Sequence, residues 1–78
     1  MGRSRLAIVV PTRNEEKTIK KVIISLKKYG DILIVDDSST DKTSSIIQNL
    51  QINFIKNKIK LGYEGAVLKG IKYLLKKN

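Results

Sequence analysis

Three apolar runs alternate along the chain with segments whose apolar residues recur at helical spacing. The runs are residues 6–10, 32–35 and 52–55, of which the third is the weakest. Continuous β-branched runs of this length are typical of strands covered on both faces, as in a parallel sheet. The order β-α-β-α-β-α predicts a three-layer α/β domain with a parallel sheet of strand order 3-2-1, half of a doubly wound, Rossmann-like fold.

Each helical segment carries its apolar residues as a stripe on one face. The stripes are, in chain order, Ile19, Val22, Ile23 and Leu26; Thr43, Ile46, Ile47 and Leu50; and Val67, Ile71, Leu74 and Leu75. Asn14 is expected to cap the first helix, with Glu15 and Glu16 near its positive end and Gly30 closing it. Gly70 lowers the helix propensity of the third segment and is expected to allow close packing there.

Composition limits the chemistry that this chain can carry. Its 78 residues are enough for one domain, residues 1–78, and they include no cysteine and no histidine. Disulfides and thiolate metal sites are therefore excluded, and a metal site would need oxygens from the seven Asp and Glu residues. No apolar run approaches the roughly 18 residues of a membrane span, and the first run is too short for a signal peptide. We therefore expect a cytoplasmic protein, either free or peripheral to a membrane.

The net charge of +9 is concentrated towards the end of the chain, where residues 56–78 contain seven lysines and one acidic residue, Glu64. Such a balance favours anionic partners, namely nucleotides, nucleic acid or an acidic membrane surface. The simpler alternative is that these lysines coat exposed helix faces and keep the domain in solution.

Polar clusters follow each predicted strand, at residues 11–16, 36–41 and 57–65. Ligands of open parallel sheets bind beyond the carboxyl ends of the strands, so three clusters at one edge predict a binding cleft. Asp37 is expected to accept hydrogen bonds from ribose hydroxyls or a base, while Asp36 turns inward or bonds the next loop. Lys60 and Gly62 are expected to meet phosphates, and Arg13 to stack on a base or pair with a phosphate. Taken singly, each cluster is also explained as a turn or a helix cap.

Residues 8–16 and 34–43 resemble the opening of family 2 glycosyltransferases, and residues 60–72 are similar to the dolichyl-phosphate mannose synthase branch of that family. The resemblance covers nearly the whole chain. It implies a GT-A fold, a GDP- or UDP-linked hexose as donor, an acceptor such as a polyprenyl phosphate, and a divalent cation, Mg²⁺ or Mn²⁺. It also implies that five positions line the nucleotide-sugar pocket: Pro11, Arg13, Glu15, Val35 and Asp37. Arg13 departs from the aromatic residue that the family often has there.

The resemblance further implies a fourth strand that ends in an Asp-x-Asp motif, which holds the metal and the diphosphate, and these 78 residues contain no such motif. We therefore expect a domain truncated before that motif, with no evident ligand for the cation and no catalytic residue. A diphosphate leaving group needs a metal or equivalent positive charge, so the chain alone is expected not to transfer sugar. Two open sheet edges predict that a second copy, as a homodimer, or a continuation of the chain covers one of them.

Two other functions stay open at this point: a nucleic-acid-binding module, and a non-catalytic assembly domain that retains the half-fold. The charge suits nucleic acid, and residues 62–65 superficially match the glycine loop of KH domains. That loop joins two helices, however, and Glu64 would repel phosphate. A receiver-type signalling domain fits less well, because the only acidic residues after Asp37 are Asp41 and Glu64, and neither follows a strand.

Overall fold

The computed structural model describes residues 6–77, with the backbone alone at residue 77. The basic start of the chain, residues 1–5, and residue 78 lie outside the described range. Within that range the elements are β1 (Ala7–Thr12), α1 (Ile19–Lys27), β2 (Asp31–Asp36), α2 (Thr43–Asn49), β3 (Asn53–Lys56) and α3 (Gly62–Lys77). The predicted alternation of strands and helices is therefore confirmed.

The strands form one parallel sheet in the order β1-β2-β3, which confirms the predicted strand order. In the register of this sheet, Val10 lies beside Ile34, and Ile34 lies beside Phe54. The central strand β2 is buried from residue 32 to residue 36. Phe54 of β3, in contrast, keeps 39% of its surface exposed, and β1 is mostly half-buried. The expectation of strands covered on both faces is confirmed for β2 and in part for β1, where Ile8 and Val10 pack on the core and Val9 packs on Gly70 of α3. It is wrong for β3, whose residues are mostly exposed.

One face of the sheet is covered by α1 and α2, which also contact each other. The buried core of this face consists of five isoleucines: Ile19, Ile23, Ile32, Ile34 and Ile47. Leu26, Ile46 and Leu50 pack around them and are partly buried. The first two apolar stripes therefore face the sheet as predicted, except for Val22, which is 39% exposed.

The opposite face is covered by α3, which packs on β1 and β2. Its contact with the sheet is made by small residues, since Ala66 and Gly70 are buried. A Cβ atom at Gly70 would lie 2.6 Å from Cγ1 of Val9 and 3.1 Å from Cγ2 of Val35. The close packing expected at Gly70 is confirmed. The predicted stripe of large residues is wrong in part, because Ile71 and Leu75 are 42% and 69% exposed and only Val67 and Leu74 are half-buried.

The ends of α1 differ from the expectation. The helix begins at Ile19 after the N-cap Thr18. A turn precedes it, in which the carbonyl of Glu15 accepts hydrogen bonds from the backbone N–H groups of Thr18 and Ile19. Asn14 is therefore not its cap. Nor does Gly30 close the helix, which ends at Lys27. Gly30 is needed instead for close approach, because a Cβ atom there would collide with the carbonyl oxygen of Leu6.

The position of α3 marks a change in the direction of winding. The helices α1 and α2 lie on one face as the chain moves from β1 to β3, and α3 then returns over β2 and β1 on the other face. In doubly wound folds such a change defines the switch point beside the first strand, where ligands bind at the carboxyl ends of the strands. Within residues 6–77, no helix is both long enough and apolar enough to cross a membrane.

Candidate functional site

Three loops meet at the carboxyl edge of the sheet. We call residues 13–18, between β1 and α1, the first loop; residues 37–42, between β2 and α2, the second loop; and residues 57–61, between β3 and α3, the third loop. Because parallel strands all end at the same edge, these loops are neighbours in space although they are far apart in sequence. Hydrogen bonds between them, described next, hold the edge together.

Asn14 binds the first loop to the second. Its backbone has φ 54°, a left-handed conformation that asparagine tolerates better than most residues. The backbone N–H of Asn14 donates to Oγ of Ser39 at 3.0 Å. Its side-chain Oδ1 accepts from the N–H groups of Thr40 at 2.8 Å and Asp41 at 3.3 Å, and from Oγ1 of Thr40 at 3.3 Å. The residue that the sequence suggested as a helix cap therefore satisfies backbone donors of a different loop.

The two glutamates beside Asn14 add to this contact. The N–H of Glu15 donates to Oγ1 of Thr43 at 2.8 Å, and the N–H of Glu16 donates to Oδ2 of Asp41 at 3.4 Å. In the reverse direction, the N–H of Lys42 donates to Oε1 of Glu16 at 2.9 Å. A shallow cleft of about 320 Å³ runs along this contact. Backbone donors that precede α2 are thus satisfied by the first loop rather than by solvent.

The surroundings of Asp41 lower the pKa of its carboxyl group. Burial raises the pKa of its carboxyl group, but hydrogen bonds from the hydroxyl and the N–H of Thr43 and from the N–H of Glu16 lower it by more. The carboxylate of Asp41 is therefore stabilised in its charged form, at the junction of the first and second loops.

Asp36, the first residue of the acidic pair, turns inward as expected. It is 1% exposed and accepts hydrogen bonds from the N–H of Ser39 at 3.1 Å and from the hydroxyl of Ser44. Lys56 Nζ donates to Oγ of Ser44 at 3.0 Å, so the end of β3 is connected to Asp36 through a serine of α2. These bonds hold the second loop against the end of the central strand.

Asp37, the second residue of the pair, holds the third loop and the start of α3. Its side chain is 4% exposed. Oδ1 accepts from Nδ2 of Asn57 at 2.9 Å and from the N–H of Leu61 at 2.8 Å, and Oδ2 accepts from the N–H of Gly62 at 2.8 Å. A carboxylate offers about four acceptor positions, so one position on Oδ2 remains after these bonds with described residues.

The charged form of Asp37 is also stabilised. Burial raises the pKa of Asp37, but the hydrogen bonds from Leu61, Asn57 and Gly62 and the nearby charge of Lys60 together lower it below the usual range. The negative charge lies at the N-terminus of α3, where the helix dipole favours it. Gly62 has φ +85°, a conformation that glycine adopts without strain.

The seven predicted site residues all lie at or beside this edge. Pro11 and Val35 are neighbours in the register of β1 and β2, with Pro11 half-buried and Val35 fully buried. Arg13, Glu15 and Lys60 are exposed on the first and third loops. Asp37 and Gly62 are joined by the hydrogen bond just described. The structure therefore brings the predicted residues to one edge, although the carboxylate of Asp37 is already engaged by the protein.

Asn57 lies at this edge, and no role was predicted for it. It is 2% exposed, donates to Asp37, and among the described residues its Oδ1 has no hydrogen-bond partner. The only sequence signal was its position directly after a strand. Residues 62–65, which resembled a KH-type glycine loop, form the first turn of α3 and do not join two helices.

A larger hollow, of about 640 Å³, opens at the opposite end of the sheet, where Ala7, Asp31 and Asn53 are among its lining residues. None of the seven predicted site residues lines it. Among residues 6–77, no three acidic side chains lie close enough together to hold a metal ion. The divalent cation implied by the resemblance stays a prediction, since such an ion can also be held by one or two carboxylates together with a diphosphate.

The fold, the loops at the carboxyl edge and their motifs define a Rossmann-like half-domain of the glycosyltransferase type. The profile of Glycosyl transferase family 2 matches residues 7–76, and the chain belongs to that family. The similarity to the dolichyl-phosphate mannose synthase branch is not established by this match.

Relatives of the chain support the same family. An uncharacterised protein of Methanocaldococcus jannaschii is 38% identical over 77 residues, which cover 96% of this chain and 32% of the relative. A putative glycosyltransferase TagX of Staphylococcus aureus is 45% identical over 49 residues, 60% of this chain and 14% of the relative. The UDP-N-acetylglucosamine–dolichyl-phosphate N-acetylglucosaminyltransferase of Methanococcus voltae is 40% identical over 53 residues, 65% of this chain and 21% of the relative. No solved structure matches the chain. The chain thus spans about a third of the first of these relatives, and less of the others.

Proposed function

We propose that this chain is the nucleotide-binding part of a family 2 glycosyltransferase, and that it holds the nucleotide of a sugar donor at the carboxyl edge of the sheet. The observation that carries the proposal is the hydrogen bonding between the first and second loops, which contain the two family motifs. These bonds fix the two loops at the switch point while Arg13 and Glu15 remain exposed beside it.

The residues at this edge suit different parts of a nucleoside diphosphate. Pro11 and Val35 offer strand-end backbone as a floor for the base. The side chain of Arg13 makes no hydrogen bond or ion pair with the described residues, so it is available to pair with a phosphate or to stack on the base. The remaining acceptor position of Asp37 is suited to a ribose hydroxyl. Lys60, exposed on the third loop, brings positive charge for the diphosphate, whereas the N–H of Gly62, expected to meet a phosphate, is already bonded to Asp37.

The donor and the acceptor are proposed from the relatives. The name of the Methanococcus voltae relative gives UDP-N-acetylglucosamine as its donor and dolichyl phosphate as its acceptor. By analogy we propose a UDP- or GDP-linked hexose and a polyprenyl phosphate for the protein to which this chain belongs. Membership of the dolichyl-phosphate mannose synthase branch, and a cytoplasmic location at a membrane, stay predictions of the sequence.

The divalent cation stays an expectation from the family resemblance, and no step of the proposal depends on it. This chain's own residues bind and orient the nucleotide, with the carboxylate of Asp37 fixing the third loop and the start of α3. We accordingly propose that the 78-residue chain binds the nucleotide but does not transfer sugar.

Calorimetric titration with UDP, GDP and their hexose conjugates tests the proposal. We expect binding of one nucleotide, and a loss of at least tenfold in affinity in Arg13→Ala, which removes a charge-assisted contact of roughly 1.5–3 kcal/mol. Lys20→Ala, which removes an exposed lysine of α1 that is not a predicted site residue, is the matched control and should bind normally. Circular dichroism should show that both variants remain folded.

The opposite result would give the chain a different function. If the folded chain binds none of these nucleotides at millimolar concentration, the nucleotide-binding proposal is wrong, and a nucleic-acid-binding module and a non-catalytic assembly domain are the remaining alternatives. Transfer of sugar by the purified 78-residue chain would contradict the proposal that it binds without catalysing.

A further inference from the structure

The outward surface of α3 carries large apolar side chains that nothing in the described structure covers. Leu68, Ile71 and Leu75 are 55%, 42% and 69% exposed. Their spacing of i, i+3 and i+7 places them on one stripe of the helix. This stripe faces outward because Ala66 and Gly70 make the contact with the sheet.

A stripe of lysines runs beside the apolar stripe. Lys69, Lys72 and Lys76 repeat the same spacing one position further along the chain, and all three are exposed. They line a groove of about 900 Å³ between α3 and β3, together with Leu68, Leu75 and Phe54 among other residues. The only acidic residue of α3 is Glu64, in the first turn, where it lies one turn before Leu68 in line with the apolar stripe and not among the lysines.

We propose that α3 lies on the surface of an anionic lipid bilayer. Leu68, Ile71 and Leu75 enter the boundary between headgroups and acyl chains, and the three lysines contact lipid phosphates. Apolar side chains with flanking lysines are the pattern of helices that lie in the plane of a membrane surface, because long lysine side chains keep their charge among the headgroups. The positive charge of the lysine stripe complements the negative charge of an anionic bilayer.

A second copy of the chain is a poorer occupant of the same surface. A two-fold contact sets the same patch of both copies against each other, so the lysine stripes of the two helices would be brought close together. Like charges at a contact that also removes water are unfavourable. An anionic bilayer can cover the apolar stripe with acyl chains and pair the lysine stripe with lipid phosphates.

An α3 that lies on the bilayer also sets the depth of the candidate site, an inference that rests on the proposed function. The helix starts at Gly62, which Asp37 holds at the carboxyl edge of the sheet. A helix that lies flat on the bilayer therefore keeps this edge level with the headgroups. The phosphate of a lipid-linked acceptor lies at the same depth.

The direct test uses Leu75→Trp, because the chain contains no tryptophan of its own. Vesicles of phosphatidylcholine alone are compared with vesicles that also contain phosphatidylglycerol, in the absence of nucleotide. With the anionic vesicles we expect a blue shift of the emission and quenching by lipids brominated on their acyl chains. Ile24→Trp, at a position of α1 that is 57% exposed on the opposite face, should show neither.

Two triple variants that remove the same charge test whether vesicle binding depends on the lysines of α3 or only on the net charge of the chain. Lys69→Gln, Lys72→Gln and Lys76→Gln together should weaken vesicle binding by roughly a hundredfold, at about fivefold for each lysine near an anionic surface. The matched control combines Lys20→Gln, Lys21→Gln and Lys27→Gln on α1, which remove the same charge from exposed positions. It should weaken binding far less.

Three results would overturn the proposal. The first is that the wild-type chain does not bind anionic vesicles. The second is that the two triple variants lose binding equally, or that both tryptophans are quenched alike. The third is a dimer in light scattering that the pair Leu68→Gln and Leu75→Gln dissociates, since that would assign the surface to a second copy. Because no nucleotide is present, none of these outcomes depends on the nucleotide-binding proposal.

Discussion

The side-chain oxygen of Asn14 accepts a hydrogen bond from the backbone N–H of Thr40 at 2.8 Å, across 26 positions of sequence. The same oxygen also accepts from Oγ1 of Thr40 and from the N–H of Asp41. The loop that follows β1 thereby satisfies the backbone of the loop that follows β2. Both loops belong to motifs of the family, so this pair of residues connects the two parts of the candidate site.

Replacement of Asn14 should weaken this connection. Asn14→Ala removes the acceptor for three donors and also places alanine at φ 54°, so we expect a loss of about 2–3 kcal/mol in the free energy of unfolding. Asn14→Gly loses the same hydrogen bonds but adopts this backbone freely, and should cost about 1 kcal/mol less. Urea denaturation of the two variants measures both quantities. Equal stabilities of the two variants would show that backbone conformation contributes nothing at this position.

Asp37 should make the stability of the chain depend on pH in the acid range. Its pKa is lowered in the folded state, so the unfolded chain binds the proton more tightly than the folded chain does. The stabilisation is therefore fully present above the pKa of an unfolded aspartate, about 3.9, and is lost as the pH falls through the lower pKa of the folded state. Asp41 contributes in the same direction.

Denaturation at a series of pH values tests this dependence with two variants. Asp37→Asn should be less stable than the wild type at pH 7. It should also lose less stability between about pH 5 and pH 2, the range over which aspartates titrate. Glu64→Gln, which removes an exposed acid from the first turn of α3, is the control and should lose less stability at pH 7 than Asp37→Asn. A wild-type profile that is flat in the acid range would contradict the assignment.

Gly70 should not tolerate a side chain. Alanine raises helix propensity by about 1 kcal/mol relative to glycine, but its Cβ would lie 2.6 Å from Cγ1 of Val9. Overpacking of this kind costs about 1–3 kcal/mol, so Gly70→Ala should be destabilising on balance. The double variant Val9→Ala with Gly70→Ala removes the clashing atoms, and a double-mutant cycle from thermal or urea denaturation should show favourable coupling. Additive effects would place α3 further from β1 than the structure does.

The pattern of residues was sufficient to predict the order of the elements and the sheet edge at which the predicted site residues lie. Apolar runs of four or five residues and stripes at helical spacing are local features, and they predicted three strands, three helices and the strand order. Because all parallel strands end at one edge, the motifs after β1 and β2 also had to be neighbours. Pro11, Arg13, Glu15 and Asp37 follow from that argument together with the family resemblance.

The hydrogen-bond partners of the residues in these loops could not be predicted from the sequence pattern. Asn14, followed by two glutamates and a helical stripe, has the composition of a helix cap, and only the tertiary contact with Thr40 and Asp41 assigns it to another loop. Likewise, the sequence distinguished an inward Asp36 from an available Asp37, whereas both side chains are buried. Hydrogen bonds between segments about 25 residues apart depend on loop conformation, which local propensity does not specify.

What the sequence determined by itself is the class of fold, the family and the edge at which a ligand would bind, because these depend on periodicity, on parallel topology and on motif order. What only the tertiary structure decided is which face of each element is covered. The stripe of α3 was expected to face inward on hydrophobicity alone, yet Ala66 and Gly70 occupy the contact and Leu75 faces out. The reason is geometric: a helix can approach a sheet closely only through its smallest residues, and this close approach turns the larger ones towards the surface.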